Sequence, residues 1–417
     1  MAETPEAANP DKAISHDPVR LVDYYLDEAI ERGATDLHFE PTPDCLSVRM
    51  RLDGLLQPVG QAPKSLADNV LGRLMVLGGL LTYRTDIPQE GRLRPPEGQN
   101  GCPKWAKADV GLRLATFPTV EGTRAVIRII RGSEQFGSLE SLGYGAECLE
   151  MLSGLTRRRS GLILLTGPAG SGKTTTIYTF LLTITREQPG VSVISLEDPV
   201  EQRVGRITQI QITPHGQLTY QRALRSLLRQ DPQVLALGEI RDAETAEICI
   251  EAALAGHLLI STIHSGTVAG AIVRLSEMGI PSYQLTSAVE AIVAQRLVRR
   301  LCEECRQETG DPREPFRACG CGRCAKTGYR GRTVMAEAGQ MAGAFRAAVR
   351  DRSDAGELER GLIADGMVSL TDQAGRLVRE GVTTVEEVSL VLGQSAEKLR
   401  ARWAQLDEKD GDNDSAG

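Results

Sequence analysis

A glycine-rich loop between an apolar run and a helical pattern constrains the fold of this chain more than any other feature. The apolar run covers 162–165, and the loop after it reads GPAGSGKTTT from Gly167 to Thr176. Apolar residues then recur with helical spacing in IYTFLLTIT. The order of strand, loop and helix, with the spacing G-x-x-x-x-G-K-T, is typical of a P-loop. The sequence therefore predicts an α/β fold with a nucleotide site.

The residues of this loop supply different parts of a phosphate site. Glycines let backbone N–H groups converge on phosphates, Lys173 can reach the β and γ phosphates, and the Thr174 hydroxyl can bind Mg²⁺. A chance turn of glycine and serine is the alternative, and the flanking strand and helix patterns disfavour it. We assign the contacts with ATP to the whole loop: Gly167, Pro168, Ala169, Gly170, Ser171, Gly172, Lys173, Thr174 and Thr175.

Four further apolar segments follow the loop, separated by helical patterns: SVISLE, ITQIQI, QVLALGE and LLISTIH. This alternation predicts a mostly parallel sheet with helices on both faces. The carboxyl ends of parallel strands meet at one edge of the sheet, where ligands bind. Glu197, Glu239 and His264 end or follow these strands. We therefore expect these three side chains beside the P-loop.

Two acidic strand ends beside one P-loop are more than nucleotide binding alone requires. One carboxylate can serve Mg²⁺ or its water, and the other can orient the attacking water. His264 can sense the γ-phosphate. The alternatives are that Glu197 and Glu239 form caps or surface ion pairs, and that His264 is a hydrogen-bonded core residue.

The first part of the chain predicts a small α+β domain over 18–131. PVRLVDYYLDEAIER places apolar residues on one helical face over 18–32, and TDLHFEP and LSVRMRLDG alternate like a hairpin. We expect a second helix at about 64–83. GLRLATFPTVEGTRAVIRII predicts a second strand pair, which carries Arg113 and Arg128. The Gly/Ser-rich stretch 132–145 has the composition of a linker.

Two C-x-x-C pairs lie beyond the predicted sheet, Cys302 with Cys305 and Cys321 with Cys324. Thiolates in such pairs are typical of a tetrahedral Zn²⁺ site, and disulfides are not expected in a reducing cytoplasm. Four sulfur ligands leave no open position, so we predict a structural metal. Cys319 is a third candidate in the second pair, and incidental thiols are the alternative.

Composition limits the partners of this chain. A length of 417 residues suggests about two or three domains. The net charge of -7 gives no general attraction to nucleic acid. The segment 1–17 is polar and has no signal-peptide pattern, and the most apolar segments contain charged residues. We expect a disordered N-terminus over 1–17, a cytoplasmic protein and no nucleic-acid partner.

Several longer segments resemble one family, the secretion ATPases of type II secretion and type IV pilus assembly. LEDPVE, RQDPQVLALGEIRDAETAEI, AGHLLISTIHS and AQRLVRRLC resemble segments of that family that include its Asp box, Walker B and His box. GATDLHFEP, VRMRLDG and PQEGR are similar to its second N-terminal domain. The resemblance covers 18–394, far more than a P-loop alone.

The resemblance implies a RecA-like P-loop core with smaller parts on either side. The implied order is a PAS-like α+β domain over 18–131, a linker over 132–145, the core over 146–300, a zinc-binding flap over 301–332, a helical region over 333–394, and a charged helix with an acidic tail over 395–417.

The resemblance also implies roles for individual residues. Glu197 would be the general base or water-orienting acid, Glu239 would act on the Mg²⁺ side, and His264 would sense the γ-phosphate. Arg113 and Arg128 would reach the phosphates when the small domain closes over the nucleotide. Three more arginines would add contacts within or between subunits: Arg225, Arg229 and Arg241.

The function implied is that of an ATP-hydrolysing hexamer that powers assembly of a type IV pilus or a type II secretion pseudopilus. Such a motor would act at the cytoplasmic side of the inner membrane, held there by a platform or docking protein. One alternative is a DNA-transfer or type IV secretion ATPase, which the acidic net charge disfavours. Another is a non-hydrolysing, nucleotide-gated scaffold, which is disfavoured by the joint presence of Lys173, Thr174, Glu197 and Glu239.

Overall fold

The chain divides into two units between residues 135 and 136. The described residues form one six-stranded β-sheet in the first unit, and one seven-stranded and one two-stranded sheet in the second. The computed structural model describes residues 17–95, 103–108, 110–131, 137–212 and 218–414. The mixed α/β fold predicted from the sequence is confirmed. The disordered N-terminus predicted over 1–17 lies outside the described residues, apart from Asp17, which caps the first helix.

The first unit is an antiparallel sheet with two helices packed on it. Its described elements are α1 (Pro18–Glu31), β1 (Asp36–Pro41), β2 (Cys45–Leu52), β3 (Leu55–Pro63), α2 (Ala67–Leu77), β4 (Gln89–Arg92), β5 (Val110–Thr119) and β6 (Gly122–Arg131). The strand order is β3-β2-β1-β6-β5-β4. The predicted hairpin and the predicted strand pair are confirmed as β1–β2 and β5–β6.

Helix α1 forms because its N-terminus is capped and one face is apolar. The side chain of Asp17 accepts a hydrogen bond from the Val19 N–H at 2.9 Å, which satisfies one unpaired donor of the first turn. Leu21, Tyr25 and Leu26 are buried in the core of the unit. The prediction of a helix over 18–32 is therefore confirmed.

Helix α2 is shorter than the pattern over 64–83 predicts. A 3-10 turn covers Lys64–Leu66, and the α-helix ends at Leu77. Gly79 takes a left-handed conformation with φ of 66°, and the Leu80 N–H donates to the Met75 carbonyl at 2.8 Å. This glycine-dependent C-cap ends the helix although apolar residues continue beyond it.

The second unit is an α/β sheet followed by helices. Its described elements are α3 (Ala146–Leu155), β7 (Gly161–Thr166), α4 (Lys173–Glu187), β8 (Val193–Glu197), β9 (Thr208–Gln211), α5 (Tyr220–Leu227), β10 (Val234–Leu237), α6 (Ala243–Leu254), β11 (Leu258–Ile263), α7 (Val268–Glu277), α8 (Ser282–Ala288), β12 (Val289–Leu301), β13 (Gln307–Glu308), β14 (Phe316–Arg317), β15 (Tyr329–Gln340), α9 (Gly343–Arg350), α10 (Ala355–Ala364), α11 (Leu370–Arg379), α12 (Val385–Leu392) and α13 (Ala396–Asp414).

The large sheet brings four strand ends together. Its order is β15-β12-β7-β11-β10-β8-β9, and β7, β11, β10, β8 and β9 run parallel to their neighbours. Every residue of β7, β8, β10 and β11 is buried, as expected for parallel strands covered on both faces. The carboxyl ends of these strands therefore lie side by side at one edge.

The sheet extends beyond the core predicted over 146–300. The segment 333–394 was expected to be helical, but its first residues belong to β15, which pairs antiparallel with β12 along most of its length. Thr333 and Val334 are β-branched, and both are buried in this pairing. The helical region starts only at α9.

Part of the predicted linker over 132–145 is integrated into the second unit. Leu139–Leu142 form a 3-10 turn, and Leu139 and Tyr144 are buried. The apolar and aromatic side chains of this segment pack into the core next to β7 and α4. A linker predicted from composition alone does not anticipate this packing. Among the described residues, no helix has both the length and the apolarity needed to cross a bilayer.

A buried ion pair fastens the C-terminal helices to β12. The Arg299 side chain donates to the Glu387 carboxylate at 2.9 and 2.5 Å, and the Arg299 backbone N–H donates to the other oxygen at 3.0 Å. The Glu387 side chain is only 4% exposed. The guanidinium also stacks on Tyr329 at 4.1 Å from the ring centroid. These contacts join the sheet to α12.

We expect Glu387→Ala to destabilise the second unit by about 3–5 kcal/mol, because it leaves the buried Arg299 charge without its partner. Urea unfolding followed by circular dichroism measures this change. The matched control is Glu386→Ala, which removes a 68% exposed carboxylate paired with Arg400 and should cost less than about 1 kcal/mol. Equal stability of the two variants would contradict the account.

Candidate functional site

The P-loop joins β7 to α4 and exposes the N-terminus of that helix. Gly172 lies just before α4 with φ of 91°, and Lys173 is the first helical residue. Gly167 and Gly170 also have positive φ, at 140° and 76°. Only glycine adopts such angles without strain. The loop therefore folds so that the unpaired N–H groups of the helix point into it, as an anion site requires.

The loop is clamped from behind by β12. The Gln295 side chain, 1% exposed, donates to the Ser171 carbonyl at 2.8 Å and accepts from the Tyr144 hydroxyl at 2.8 Å. A Cβ on Gly167 would lie 2.4 Å from the Gln295 carbonyl oxygen. Sequence reasoning missed Gln295 and Tyr144. The available signal was a polar residue among apolar ones in AQRLVRRLC.

Lys173 is held at the mouth of the loop. Its ammonium group donates to the carbonyls of Gly167 at 2.7 Å and Pro168 at 2.9 Å. Burial lowers the pKa of Lys173, while the nearby negative charge of Glu239 opposes that effect. The two carbonyl bonds are neutral interactions, which phosphate oxygens can replace with stronger charge-assisted ones.

Glu197 ends β8 and is buried among neutral donors. One carboxylate oxygen accepts from the Ser195 hydroxyl at 2.6 Å and from the Gln209 side-chain amide at 3.0 Å. The other oxygen accepts a short hydrogen bond from the Tyr178 hydroxyl. The residue is 8% exposed. These donors fix both the position and the orientation of the carboxylate.

Glu239 follows β10 in a different environment. His264 Nε2 lies 2.8 Å from one carboxylate oxygen, and Arg241 Nε lies 3.1 Å from the other. The Glu239 side chain is 17% exposed and the His264 side chain is 66% exposed. His264 is therefore a partner of Glu239 at an open position, and the alternative of a buried core histidine is wrong.

One cleft brings half of the predicted catalytic and nucleotide-binding residues together. Its volume is about 350 Å³, and Lys173, Thr174, Glu197, Glu239 and His264 all line it with Ala169 and Gly170. Arg241, for which contacts within or between subunits were predicted, also lines it, together with Tyr178 and Tyr220, which were not predicted from the sequence. Burial raises the pKa of Tyr220 to about 12, so its phenol is neutral. The cleft combines cationic, hydroxyl and carboxylate groups in the volume range of small-ligand sites.

Other predicted residues lie outside this cleft. Arg225 forms an ion pair with Glu244 at 3.0 Å, on the surface of α5 and α6. Arg229 is exposed just after α5. Arg113 and Arg128 belong to the first unit, where they pair with Glu90 at 2.5 Å and Asp36 at 3.3 Å.

Strand register in the first unit aligns charged residues in one row. Arg92 faces Arg113 across β4 and β5, Arg113 faces Arg128 across β5 and β6, Arg128 faces Asp36, and Asp36 faces Arg51. Like charges directly opposite each other destabilise a sheet. Asp36 in the row and Glu90, which pairs with Arg113, place two carboxylates beside four arginines, so the row keeps a net positive charge.

The C-x-x-C pairs converge into one cluster. The four Sγ atoms of Cys302, Cys305, Cys321 and Cys324 all lie within 4.8 Å of one another. Three of the separations are 3.9, 3.7 and 3.8 Å, close to the roughly 3.8 Å that tetrahedral Zn–S bonds of about 2.3 Å require. Cys319 is exposed and is not in the cluster.

Backbone N–H groups surround this cluster. Gly320 donates to Cys305 Sγ at 3.3 Å, and Cys321 and Gly328 donate to Cys324 Sγ at 3.1 and 3.2 Å. Donors of this kind stabilise negative charge on sulfur, the form that binds metal. The donor set and its spacing therefore fit Zn²⁺.

Comparison with known families gives one match that spans most of the chain. The family described as type II/IV secretion system protein matches residues 12–390.

Relatives of known name match over most of the chain as well. The type IV pilus assembly ATPase PilB of Thermus thermophilus is 37% identical over 385 residues, which cover 88% of this chain and 42% of that protein. The type II secretion system protein E of Pseudomonas aeruginosa is 38% identical over 384 residues, 89% of this chain and 74% of that protein. This chain thus spans less than half of the Thermus relative and about three-quarters of the Pseudomonas one.

Solved structures share the fold at lower sequence identity. The pilus retraction motor PilT, solved with bound ADP, has a TM-score of 0.58 and 24% identity over 88% of this chain and 95% of that one. The Yersinia pseudotuberculosis ATPase DotB has a TM-score of 0.68 and 20% identity over 96% of this chain and 97% of that one.

The contact between Gly167 and the Gln295 carbonyl leaves no room for a side chain at position 167. We expect Gly167→Ala to weaken ATP binding by about ten- to a hundredfold, because positive φ and the clash with Gln295 force the loop to move, at roughly 1–3 kcal/mol. Isothermal titration calorimetry measures the affinity. The control is Gly190→Ala. Gly190 also has a positive φ, of 99°, but no atom lies close to where its Cβ would be. This variant should therefore bind ATP with wild-type affinity. Wild-type affinity in Gly167→Ala would refute the clamp.

Proposed function

This chain belongs to the type II/IV secretion system protein family, and from that premise we propose that it hydrolyses ATP to power assembly of a type IV pilus or a type II secretion pseudopilus. The observation that carries the proposal is the cleft that joins a P-loop lysine to two carboxylates in different environments. A site that only binds nucleotide needs the loop, whereas hydrolysis also needs a group that orients water.

The loop binds the triphosphate through its backbone and Lys173. The N–H groups at the start of α4 face the phosphates, and the Lys173 ammonium exchanges two carbonyl oxygens for β- and γ-phosphate oxygens. The Thr174 hydroxyl and the Glu239 carboxylate are oxygen donors of the kind that Mg²⁺ prefers. These two residues would hold Mg²⁺ or its waters, and the ion would neutralise charge on the phosphates.

Glu197 orients and deprotonates the attacking water. Its carboxylate is held in position by three neutral hydrogen-bond donors. His264 bonds to Glu239 at 2.8 Å and is open to the cleft, where it can detect the γ-phosphate. Because phosphoryl transfer requires positioning and charge stabilisation rather than covalent chemistry, these groups suffice for the in-line attack.

Arginines supply positive charge from outside the P-loop. The row of Arg113 and Arg128, aligned by strand register, would reach the phosphates when the first unit closes over the nucleotide. Arg225, Arg229 and Arg241 would add contacts within a protomer or across a subunit boundary. Charge that arrives late in the reaction stabilises the transition state more than the bound substrate.

The finer parts of the fold follow from the same family. The first unit is the PAS-like domain, the sheet with α4 to α7 is a RecA-like core, and the tetra-cysteine segment is a zinc-binding flap. Four thiolates in a tetrahedral arrangement complete the coordination of Zn²⁺, so the metal has a structural role.

The motor is a homohexamer at the cytoplasmic face of the inner membrane, held by a platform or docking protein. Its relatives are named for pilus assembly and type II secretion, which supports this placement. Cyclic symmetry would let one protomer complete the site of its neighbour. The net charge of -7 gives no support to a DNA-transfer motor.

We expect steady-state ATP hydrolysis with Mg²⁺ in the wild type, and a loss of at least about a hundredfold in Lys173→Ala and Glu239→Gln, because each removes charge that binds the phosphates or their metal. A coupled phosphate-release assay measures turnover, and light scattering measures the assembly. The control is Glu251→Gln, an exposed residue of α6, which should keep wild-type turnover. Nucleotide binding without turnover in the wild-type hexamer would favour the scaffold.

We expect the purified protein to contain about one zinc ion per chain, and Cys302→Ser to lose most of it, because one of four thiolate ligands is gone. Inductively coupled plasma mass spectrometry measures the metal. Cys319→Ser is the matched control, since Cys319 lies in the same segment but outside the cluster. Full zinc content in Cys302→Ser would contradict the ligand assignment.

A further inference from the structure

We propose that Tyr178 is the positioning residue that aims Glu197 at the attacking water, an inference that rests on the ATPase activity proposed above. Tyr178 lies on α4 and lines the cleft, and its hydroxyl donates to Glu197.

Helix geometry links Tyr178 to the P-loop. Thr174 and Tyr178 are four residues apart on α4, so they lie on the same face, one turn from each other. Thr174 and Tyr178 both line the cleft, and the Tyr178 hydroxyl donates to Glu197. The same helix that binds the triphosphate therefore sets the position of the water-orienting carboxylate. The hydrogen bond between Tyr178 on α4 and Glu197 on β8 makes this link directly.

The hydrogen bonds of Glu197 leave one acceptor site for a water. A carboxylate has about four acceptor positions, two on each oxygen. Ser195 and Gln209 occupy both positions on one oxygen, and Tyr178 occupies one on the other. Among the described residues, no other side chain donates to Glu197. The remaining position is on the oxygen that Tyr178 holds, so Tyr178 determines the direction in which Glu197 accepts a water.

The phenol is a dependable donor at this place. Burial raises the pKa of Tyr178 far above its usual value, and the hydrogen bond to Glu197 and the charge of that residue raise it further. A backbone hydrogen bond with Gln202 opposes this rise in pKa. The hydroxyl donates its hydrogen to Glu197, because a carboxylate oxygen is an acceptor. The Tyr178 phenol therefore stays protonated, and able to donate to Glu197, throughout the neutral pH range.

Other titratable groups surround the same carboxylate. Asp198 and Glu201 follow it in the loop after β8, Tyr220 approaches from α5, and Glu239 with Arg241 face it from the end of β10. None of them has a hydrogen bond to Glu197 in the described structure. Tyr283 on α8 is 67% exposed and does not line the cleft, so it serves as the control for the loss of one phenol hydroxyl.

The test is the pH dependence of ATP hydrolysis in Tyr178→Phe. We expect kcat to fall by about ten- to a hundredfold, the cost of one hydrogen bond to a charged group, while KM for ATP stays within about twofold. The acidic limb of the profile should move to higher pH, because a carboxylate that loses a donor is protonated more readily. Tyr283→Phe should keep the turnover and the acidic limb of the wild type.

The outcomes separate this inference from the proposed function. Absence of turnover in the wild type overturns the ATPase proposal itself. Wild-type turnover with an unmoved acidic limb in Tyr178→Phe overturns the role of Tyr178. A raised KM for ATP with an unchanged acidic limb in Tyr178→Phe also overturns the role of Tyr178, because that result indicates a structural role for the ring. The melting temperature of each variant, compared with that of the wild type, measures whether the remaining aromatic ring still packs.

Discussion

The nucleotide site depends on one buried amide, the side chain of Gln295. This residue sits on β12, donates to the carbonyl of Ser171 in the P-loop, and accepts from Tyr144. The hydrogen bonds position the loop against the sheet, and the close approach to Gly167 prevents a wider conformation. A buried amide satisfied on both its oxygen and its nitrogen gives a fixed geometry, whereas a half-satisfied one would cost stability. Everything in the cleft is placed relative to this loop.

The two carboxylates of the cleft have different surroundings and therefore different chemistry. Glu197 is buried among Tyr178, Ser195 and Gln209, which are neutral donors. Glu239 lies beside His264 and Arg241 and close to the charge of Lys173. A carboxylate fixed by neutral donors suits the orientation of water, while one in a charged, more open setting suits the metal side of the phosphates. The division of roles that we propose for Glu197 and Glu239 rests on these contacts.

The sequence predicts the part of the site that depends on short motifs and strand ends. The P-loop, both acids, His264 and the cysteine cluster all lie where their spacing indicates, because parallel strands gather their carboxyl ends and C-x-x-C pairs gather their sulfurs. Gln295 and Tyr178 could not be predicted this way, since their roles come from contacts between residues far apart along the chain. Two differences from the predicted fold have the same origin. Tyr329–Gln340 form a strand because they pair with β12, and part of the predicted linker belongs to the core because Tyr144 is buried.

In the mechanism that we propose, Glu197 orients the water while Glu239 serves the metal side. A crystal structure of the protein with Mg²⁺, ADP and aluminium fluoride, which mimics the transferring phosphoryl group, tests it directly. The account predicts an attacking water hydrogen-bonded to the oxygen of Glu197 that Tyr178 holds, with Thr174 and Glu239 on the side of the ion. A water held by Glu239, with Glu197 turned away from the phosphates, would contradict it.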